Sequence, residues 1–300
     1  FIALAFTPFL TRLMHRRKLW KAQSGKKALA GGEAKIFNTL HNETQTPRVG
    51  GILVWGSVLG VMLLFSGFDY LTEHPILEKL NFFSRSQTWV LAFTLAAASL
   101  LGLADDLLQI WTSRTHMFSA GIDLATRLVA VTLIALVGAL WFYFKLDWRT
   151  VYVPSFGELT IGLWYIPFFV ITMIATFSGS VIDGIDGLAG GVLASAFAAY
   201  ASIAFFQNQI DVAAFAAAIV GGLLAFLWFN IPPAKFWMGE TGMIGLTTTL
   251  TVIAFFTDSV LVLPIIALPL VLASGSDIIQ IIARAFFGKK VFRVAPIQHH

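Results

Sequence analysis

Two aspartates stand side by side, Asp105 and Asp106, at the close of a long apolar run that ends Leu101-Gly-Leu-Ala-Asp-Asp106. Adjacent carboxylates at the edge of a low-dielectric region repel one another and favour a proton or a cation between them. A hard divalent ion answers that need, because Mg²⁺ takes one or two protein carboxylates and completes its octahedron with waters and substrate phosphates. The plainer roles for such a pair are interfacial solvation and a helix cap. A second cluster, Ser178-Gly-Ser-Val-Ile-Asp-Gly-Ile-Asp-Gly-Leu-Ala-Gly-Gly191, sets Asp183 and Asp186 three apart with a glycine after each. That spacing places both on one face if the stretch is helical, and the glycines let backbone approach a ligand closely. A nucleotide or metal contact fits it; a Gly-rich turn between two helices is the simpler alternative.

A third cluster runs Asn230-Ile-Pro-Pro-Ala-Lys-Phe-Trp-Met-Gly-Glu-Thr-Gly242. Its prolines end one helix, and Glu240 stands close to the start of the next. Trp237 offers a flat face to a planar base, or anchors the chain in an aromatic belt at the membrane surface. The fourth, Gly288-Lys-Lys-Val-Phe-Arg-Val-Ala-Pro-Ile-Gln-His-His300, joins His299 and His300 to Arg284, Lys289, Lys290 and Arg293. Bases with hydrogen-bonding imidazoles suit a pyrophosphate; bases alone after a last helix are also ordinary membrane topology. A further stretch, Thr46-Pro-Arg-Val-Gly-Gly51, opens an apolar segment, and a helix start with exposed N–H groups suits phosphate.

The elements that must position these residues are membrane helices. Of 300 residues, 57% are hydrophobic and 12% charged, against about 45–50% and about 25% in a soluble domain. Without cysteine the chain has no disulfide framework, no thiolate nucleophile and no sulfur ligand for zinc, so the acids point to a site of oxygen ligands. Residues 1–13 read as the tail of a first membrane helix, and both ends of the chain read as trimmed. Later apolar runs fall near 49–66, 87–104, 121–142, 163–178, 188–206, 211–229, 241–257 and 259–284. If all nine cross, one side collects fifteen of the twenty Lys and Arg and the other four, with Arg127 inside a helix. The richer side is cytoplasmic by the positive-inside rule. It also receives Asp105, Asp106, Asp183, Asp186, Glu240, His299 and His300 from four separate connections, which predicts one shared site.

In this order, the clusters and the Thr-Pro-x-x-Gly-Gly helix start resemble the polyprenyl-phosphate N-acetylhexosamine-1-phosphate transferases over nearly the whole chain. The tail Phe292-Arg-Val-Ala-Pro-Ile-Gln-His-His300 is most similar to the branch that takes the phospho-N-acetylmuramoyl-pentapeptide group. The resemblance implies an all-α polytopic membrane fold of ten helices, residues 1–300 forming a single transmembrane transferase domain whose tenth helix falls beyond His300. It implies a Mg²⁺-dependent site in the cytoplasmic loops, on a bacterial inner membrane, and transfer from UDP-MurNAc-pentapeptide to undecaprenyl phosphate, giving lipid I and UMP. Asp105, Asp106, Asp183 and His299 are then the catalytic candidates. Glu240, Asp105 and Asp106 are the metal candidates. Thr46, Ser180, Asp186, Asn230, Trp237, Gln280 and His300 are the substrate-binding candidates. The partners are the two substrates and the lipid bilayer; nucleic acid is not among them, and a homodimer is compatible with the set.

The chain departs from the family pattern at several places. Glu240 stands for an aspartate, Trp237 for a phenylalanine, Ser180 for an asparagine, Gln109 for a lysine and Gln298 for a histidine, and the Asn42-Glu43 region lacks a lysine. Losing two cations weakens the hold on an anionic substrate unless other bases compensate. A related enzyme with a GlcNAc-1-phosphate donor, an inactive scaffold, and a transporter with Asp123, Arg127 and Asp277 on its pathway are the competing readings.

Overall fold

The structure, a computed structural model, describes residues 1–20, 46–72, 86–115 and 121–299. Nine long helices account for most of it: α1 Ile2–Arg16, α2 Gly51–Thr72, α3 Ser86–Thr115, α4 Leu124–Leu140, α5 Tyr165–Ser178, α6 Leu188–Phe206, α7 Ile210–Asn230, α8 Gly239–Phe256 and α9 Leu268–Phe287. Eight of them, α2 to α9, are long and apolar enough to cross a bilayer, α4 when continued through its last turn to Lys145 and α5 when taken with the short turns that flank it, over Gly162–Ile182. This is an all-α, multi-pass membrane protein. The fifteen residues of α1 span only about 22 Å at 1.5 Å per residue.

The expected segments are present with two corrections. The third does not stop at 104: α3 runs on to Thr115, because Leu107, Leu108, Ile110 and Trp111 continue an apolar pattern beyond the aspartates. Asp105 and Asp106 therefore sit inside a helix, not at its end. The ninth breaks at Ala267 (φ −100°, ψ 29°) and restarts with Pro269 in its first turn, where a missing N–H costs nothing. Between α4 and α5 the chain also forms a small antiparallel hairpin, β1 Thr150–Val153 and β2 Gly157–Thr160, with Val151 opposite Leu159.

Helix α8 is the centre of the bundle. Its sequence carries no charge except Glu240 and no polar face, and a helix of that kind is buried. Every residue from Gly239 to Phe256 is buried except Glu240. Its threonines stay inside the membrane by bonding back along their own helix: the hydroxyls of Thr247, Thr248 and Thr249 donate to the carbonyls of Met243, Ile244 and Gly245, each at 2.7 Å. Around it α3 packs most extensively, with α5 and α2 also against it, while α6 and α7 pair beside them. Small residues allow that approach. A Cβ at Gly245 would strike the Ser99 hydroxyl, and one at Gly102 would fall on the backbone of Glu240.

The two ends of the bundle are chemically distinct. At one, Asp258 accepts from the Tyr152 N–H of the hairpin at 3.0 Å, and Gln207 and Gln209 donate to the carbonyls of Thr257 and Phe256, both at 2.8 Å. Burial pushes the Asp258 carboxyl above its ordinary range. At the other end the connections after α3, α5, α7 and α9 meet the start of α2 through the contacts described below. The alternation expected from the count of crossings is thus observed.

The close crossing is testable. Gly102→Val forces side-chain atoms into the backbone of α8 and is expected to cost about 3 kcal/mol or more, seen as a loss of folded protein and a lower thermal midpoint in detergent. Gly60→Val, at a position with open space around it, should leave both unchanged.

Candidate active site at the start of helix α8

An α-helix leaves its first N–H groups without partners inside the helix, and at the buried start of α8 no bulk water is at hand to take them. Helix α3 and the turn after α5 supply carboxylates instead. The Gly239 N–H donates to Asp183 Oδ2 at 3.0 Å, the Glu240 N–H to Asp106 Oδ1 at 3.2 Å and the Thr241 N–H to Asp106 Oδ2 at 2.9 Å. The positive end of the helix dipole favours that arrangement. Gly239 has φ +70°, and a Cβ there would meet the Arg48 carbonyl and the Asp106 carboxylate. Glycine is required on both counts.

Next to this cap, Asp105 is fully buried and fully engaged. Its Oδ1 accepts from the Ile122 N–H at 2.6 Å, and its Oδ2 accepts from Gln109 Nε2 at 3.0 Å. Arg127 completes the set: Nη2 lies 3.3 Å from Asp105 Oδ2, Nη1 donates to Glu240 Oε1 at 3.0 Å, and Nε donates to the Ile122 carbonyl at 2.9 Å. One guanidinium thus forks across two carboxylates from different helices, in the geometry this group favours. The charge of Arg48 also acts on Asp106 and Glu240, and those of Asp105 and Asp183 act on Glu240. Glu240 Oε2 is buried and has no hydrogen-bond partner among the described residues.

The loops around this core are fastened by side chains. Asp186 accepts from the Trp237 indole N–H at 2.9 Å and from the Ala234 N–H at 3.1 Å, which fixes the plane of the indole. Asn230 is buried; its Oδ1 accepts from the Gly187 N–H and its Nδ2 donates to the Phe236 carbonyl, both at 2.9 Å. The Trp237 N–H donates to the Pro47 carbonyl, and the Gly50 and Gly51 N–H groups donate to the carbonyls of Trp237 and Met238, all at 2.8 Å. Beyond α9, the Val291 and Phe292 N–H groups donate to Gln280 Oε1 at 3.0 and 2.9 Å, the Ile297 N–H to Ser276 Oγ at 2.9 Å, and Gln298 Nε2 to the Val181 carbonyl at 2.9 Å. The tail carrying His299 is thereby folded back to within two residues of Asp183 in sequence.

The structure therefore brings Asp105, Asp106, Asp183, Asp186, Asn230, Trp237 and Glu240 together. Thr46, half-buried, precedes the Pro47 pairing, and Ser180 holds its turn through the Asp183 N–H bonded to its carbonyl at 3.2 Å. Asn230 and Gln280 spend both ends of their amides on loops. His300 and the Asn42-Glu43 region lie outside the described residues. One expectation is corrected: the start of α2 exposes no N–H groups for phosphate, because Gly50 and Gly51 are buried and spent on the 237–238 backbone. Of the transporter candidates, Arg127 belongs to this site. Asp123 is the exposed cap of α4, held below the ordinary carboxylate range by hydrogen bonds from the Thr126 hydroxyl and N–H.

Sequence reasoning did not single out Arg48, Arg127 or Gln109 as site residues. Arg127 carried the one available signal, a base inside an apolar run, which has to pair with something. Among the described residues no three acidic or histidine side chains form a ready-made metal group. Mg²⁺ does not need one, since it is commonly held by one or two carboxylates together with substrate phosphates. The unpartnered, buried Glu240 Oε2 is a donor of the kind it takes.

A model of glycosyl transferase family 4 matches residues 88–258. The chain is 35% identical over 259 residues to a phospho-N-acetylmuramoyl-pentapeptide-transferase of Listeria monocytogenes, covering 85% of this chain and 75% of that protein. It is 33% identical over 298 residues to a protein of the same name from Anoxybacillus flavithermus, covering 98% and 83%. The chain belongs to glycosyl transferase family 4, among the phospho-N-acetylmuramoyl-pentapeptide-transferases. A third relative of that name, from Lactiplantibacillus plantarum, is 31% identical over 257 residues, 85% of this chain and 75% of that protein. The family match takes in both aspartate clusters, Asn230, Trp237 and Glu240.

Asn230→Leu keeps the size of the side chain and removes both bonds, leaving the part-buried Gly187 N–H and the buried Phe236 carbonyl unmet. A destabilisation of about 2 kcal/mol or more is expected, read as a lower thermal midpoint in the purified protein without any ligand. An unchanged midpoint would mean that the amide does not join the two loops.

Proposed function

We propose that this chain transfers the phospho-N-acetylmuramoyl-pentapeptide group from its UDP carrier to undecaprenyl phosphate, forming lipid I and releasing UMP, at the cytoplasmic face of a bacterial inner membrane. The observation that carries the reading is the meeting of carboxylates from α3, from the turn after α5 and from α8 itself with two arginines at the start of α8, in a chain of this family. The side of the membrane rests on the bias of Lys and Arg toward that end.

In the reaction, an oxygen of the lipid phosphate attacks the sugar-bearing phosphorus of the donor. A new P–O bond forms, the bond from that phosphorus to the bridging oxygen breaks, and the electron pair leaves with UMP. A phosphate monoester has a second pKa of about 6, so at neutral pH the nucleophile is largely charged already and little is left for a general base to do. Positioning three phosphoryl groups in line and offsetting their charge is the main task. Arg48 and Arg127 flank Glu240 and supply fixed positive charge. They replace in kind the lysines that the family resemblance led one to expect near position 43 and at position 109. The N–H groups at the starts of α2 and α8 are already occupied, so side-chain cations and the metal must carry the phosphate contacts. Glu240, whose Oε2 is unspent, would hold Mg²⁺ together with waters and substrate phosphates, and the charge of the ion would offset that of the diphosphate.

Trp237 presents an indole whose orientation Asp186 has set, a surface on which a uracil stacks at low entropic cost. His299, on the refolded tail, supplies a hydrogen-bond donor beside the Asp183 turn. Asp106 and Asp183 act here through the backbone of α8: they fix where Glu240 stands.

Purified protein should release UMP from UDP-MurNAc-pentapeptide in the presence of undecaprenyl phosphate and Mg²⁺, and not from UDP-GlcNAc. Release from UDP-GlcNAc alone would overturn the donor; release from neither would overturn the transferase reading. Asp105→Asn should retain the fold and lower turnover by about 100-fold or more, the usual cost of removing one preorganised charge from such a site.

A further inference from the structure

We infer that Arg127 is an internal counter-ion that occupies the cation position between Asp105 and Glu240 and competes there with the divalent metal, so that metal binding and the release of Glu240 by Arg127 are one event. The inference rests on the metal assignment proposed above and goes beyond it, to what this site does when no metal is bound.

The argument begins with the carboxylate oxygens. Both oxygens of Asp106 accept backbone N–H groups of α8, and both oxygens of Asp105 accept from Ile122 or Gln109. Glu240 is different: Oε1 has Arg127 Nη1 at 3.0 Å, while Oε2 is buried with no hydrogen-bond partner among the described residues. An unmet carboxylate oxygen in a desolvated place is costly. It is tolerated here beside a guanidinium that already offsets half of the charge of the pair it bridges. A divalent ion binding at Oε2 would stand within a few ångströms of that guanidinium. Two cations so close repel, and the repulsion is strong where little water screens it.

Arg127 is built to step aside without being lost. Its Nε is tied to the Ile122 carbonyl at 2.9 Å, just before the N-cap of its own helix, and Nη2 reaches Asp105 Oδ2 at 3.3 Å. Only the Nη1 contact has to open for Glu240 to turn toward a metal. The freed Nη1 then has its donors available for an oxygen of the incoming diphosphate, which arrives with the metal. In the absence of both, the same residue keeps Asp105 and Glu240 from repelling one another. The whole arrangement sits at the edge of the buried bundle, where the Arg127 and Glu240 side chains are 18% and 24% exposed and Asp105 is 0% exposed. Of the two carboxylates Glu240 is therefore the one nearer to solvent.

The test measures metal binding, not turnover. Mn²⁺ binding to the purified protein without substrates, followed by electron paramagnetic resonance and competed with Mg²⁺, reads the affinity directly. Arg127→Gln should tighten it by about tenfold, within the range that coupling between neighbouring sites takes. It should also lower the thermal midpoint in metal-free buffer and enlarge the stabilisation by Mg²⁺. Arg127→Lys keeps the charge but loses the fork, and should fall between wild type and Arg127→Gln. If Arg127→Gln yields no folded protein, the Lys variant carries the test on its own. Affinity unchanged or weakened in the folded variants would overturn the inference. Glu240→Gln separates the two levels: it should abolish the bound Mn²⁺ signal, and undiminished binding would refute the metal assignment itself. Loss in Glu240→Gln without tightening in the Arg127 variants would refute the competition alone.

Discussion

The whole arrangement depends on how the N-terminus of α8 is satisfied. A helix buried on every side cannot leave its first N–H groups to water, and at the polar end of this one the partners are carboxylates from α3 and from the turn after α5. That requirement pulls Asp106 and Asp183 onto the same backbone. Asp105, adjacent to Asp106 in the chain, is placed beside them, and Glu240, the second residue of the helix so capped, becomes the only one of α8 that is not buried. The acids are together because the helix start needs them, and the arrangement leaves one carboxylate oxygen, on Glu240, unmet.

A good deal of this was legible in the residues. Eight spans, their alternation and the end at which the acids gather follow from hydropathy and from the count of Lys and Arg, because a bilayer fixes the length and polarity of a crossing segment. The meeting of Asp183 with Glu240 followed from that alternation. The role of each acid was less legible, since an Asp that caps a helix and an Asp that binds a metal look alike in a sequence. The continuation of α3 past Asp105 and Asp106 was missed because two charges next to a bilayer edge look like an end. The apolar Leu107 to Trp111 stretch was the sign that they were not. The burial of the Gly50 and Gly51 N–H groups could not be read at all: it depends on a backbone pairing with Trp237 and Met238, nearly 190 positions away.

The departures from the family pattern make physical sense as a set. With Gln109 in place of a lysine, Asp105 receives a neutral donor from its own helix, and the charge beside it comes from Arg127. Glu240 is one methylene longer than an aspartate, a length that allows Oε1 to meet Arg127 while Oε2 stays buried. Trp237, larger than a phenylalanine, gains an indole N–H that Asp186 can hold, so the ring is oriented as well as present.

The central claim is that the carboxylate cluster faces the cytoplasm. Because the chain has no cysteine, single substitutions give an unambiguous report. Lys235→Cys places a thiol at an exposed position in the loop before α8, and Phe156→Cys places one at the tip of the hairpin, which is 90% exposed at the other end. In intact cells a membrane-impermeant maleimide should label position 156, and should label position 235 only after the membrane is permeabilised. Labelling of position 235 in intact cells, with position 156 protected, would place the cluster on the wrong side for a cytoplasmic UDP-linked donor and contradict the account.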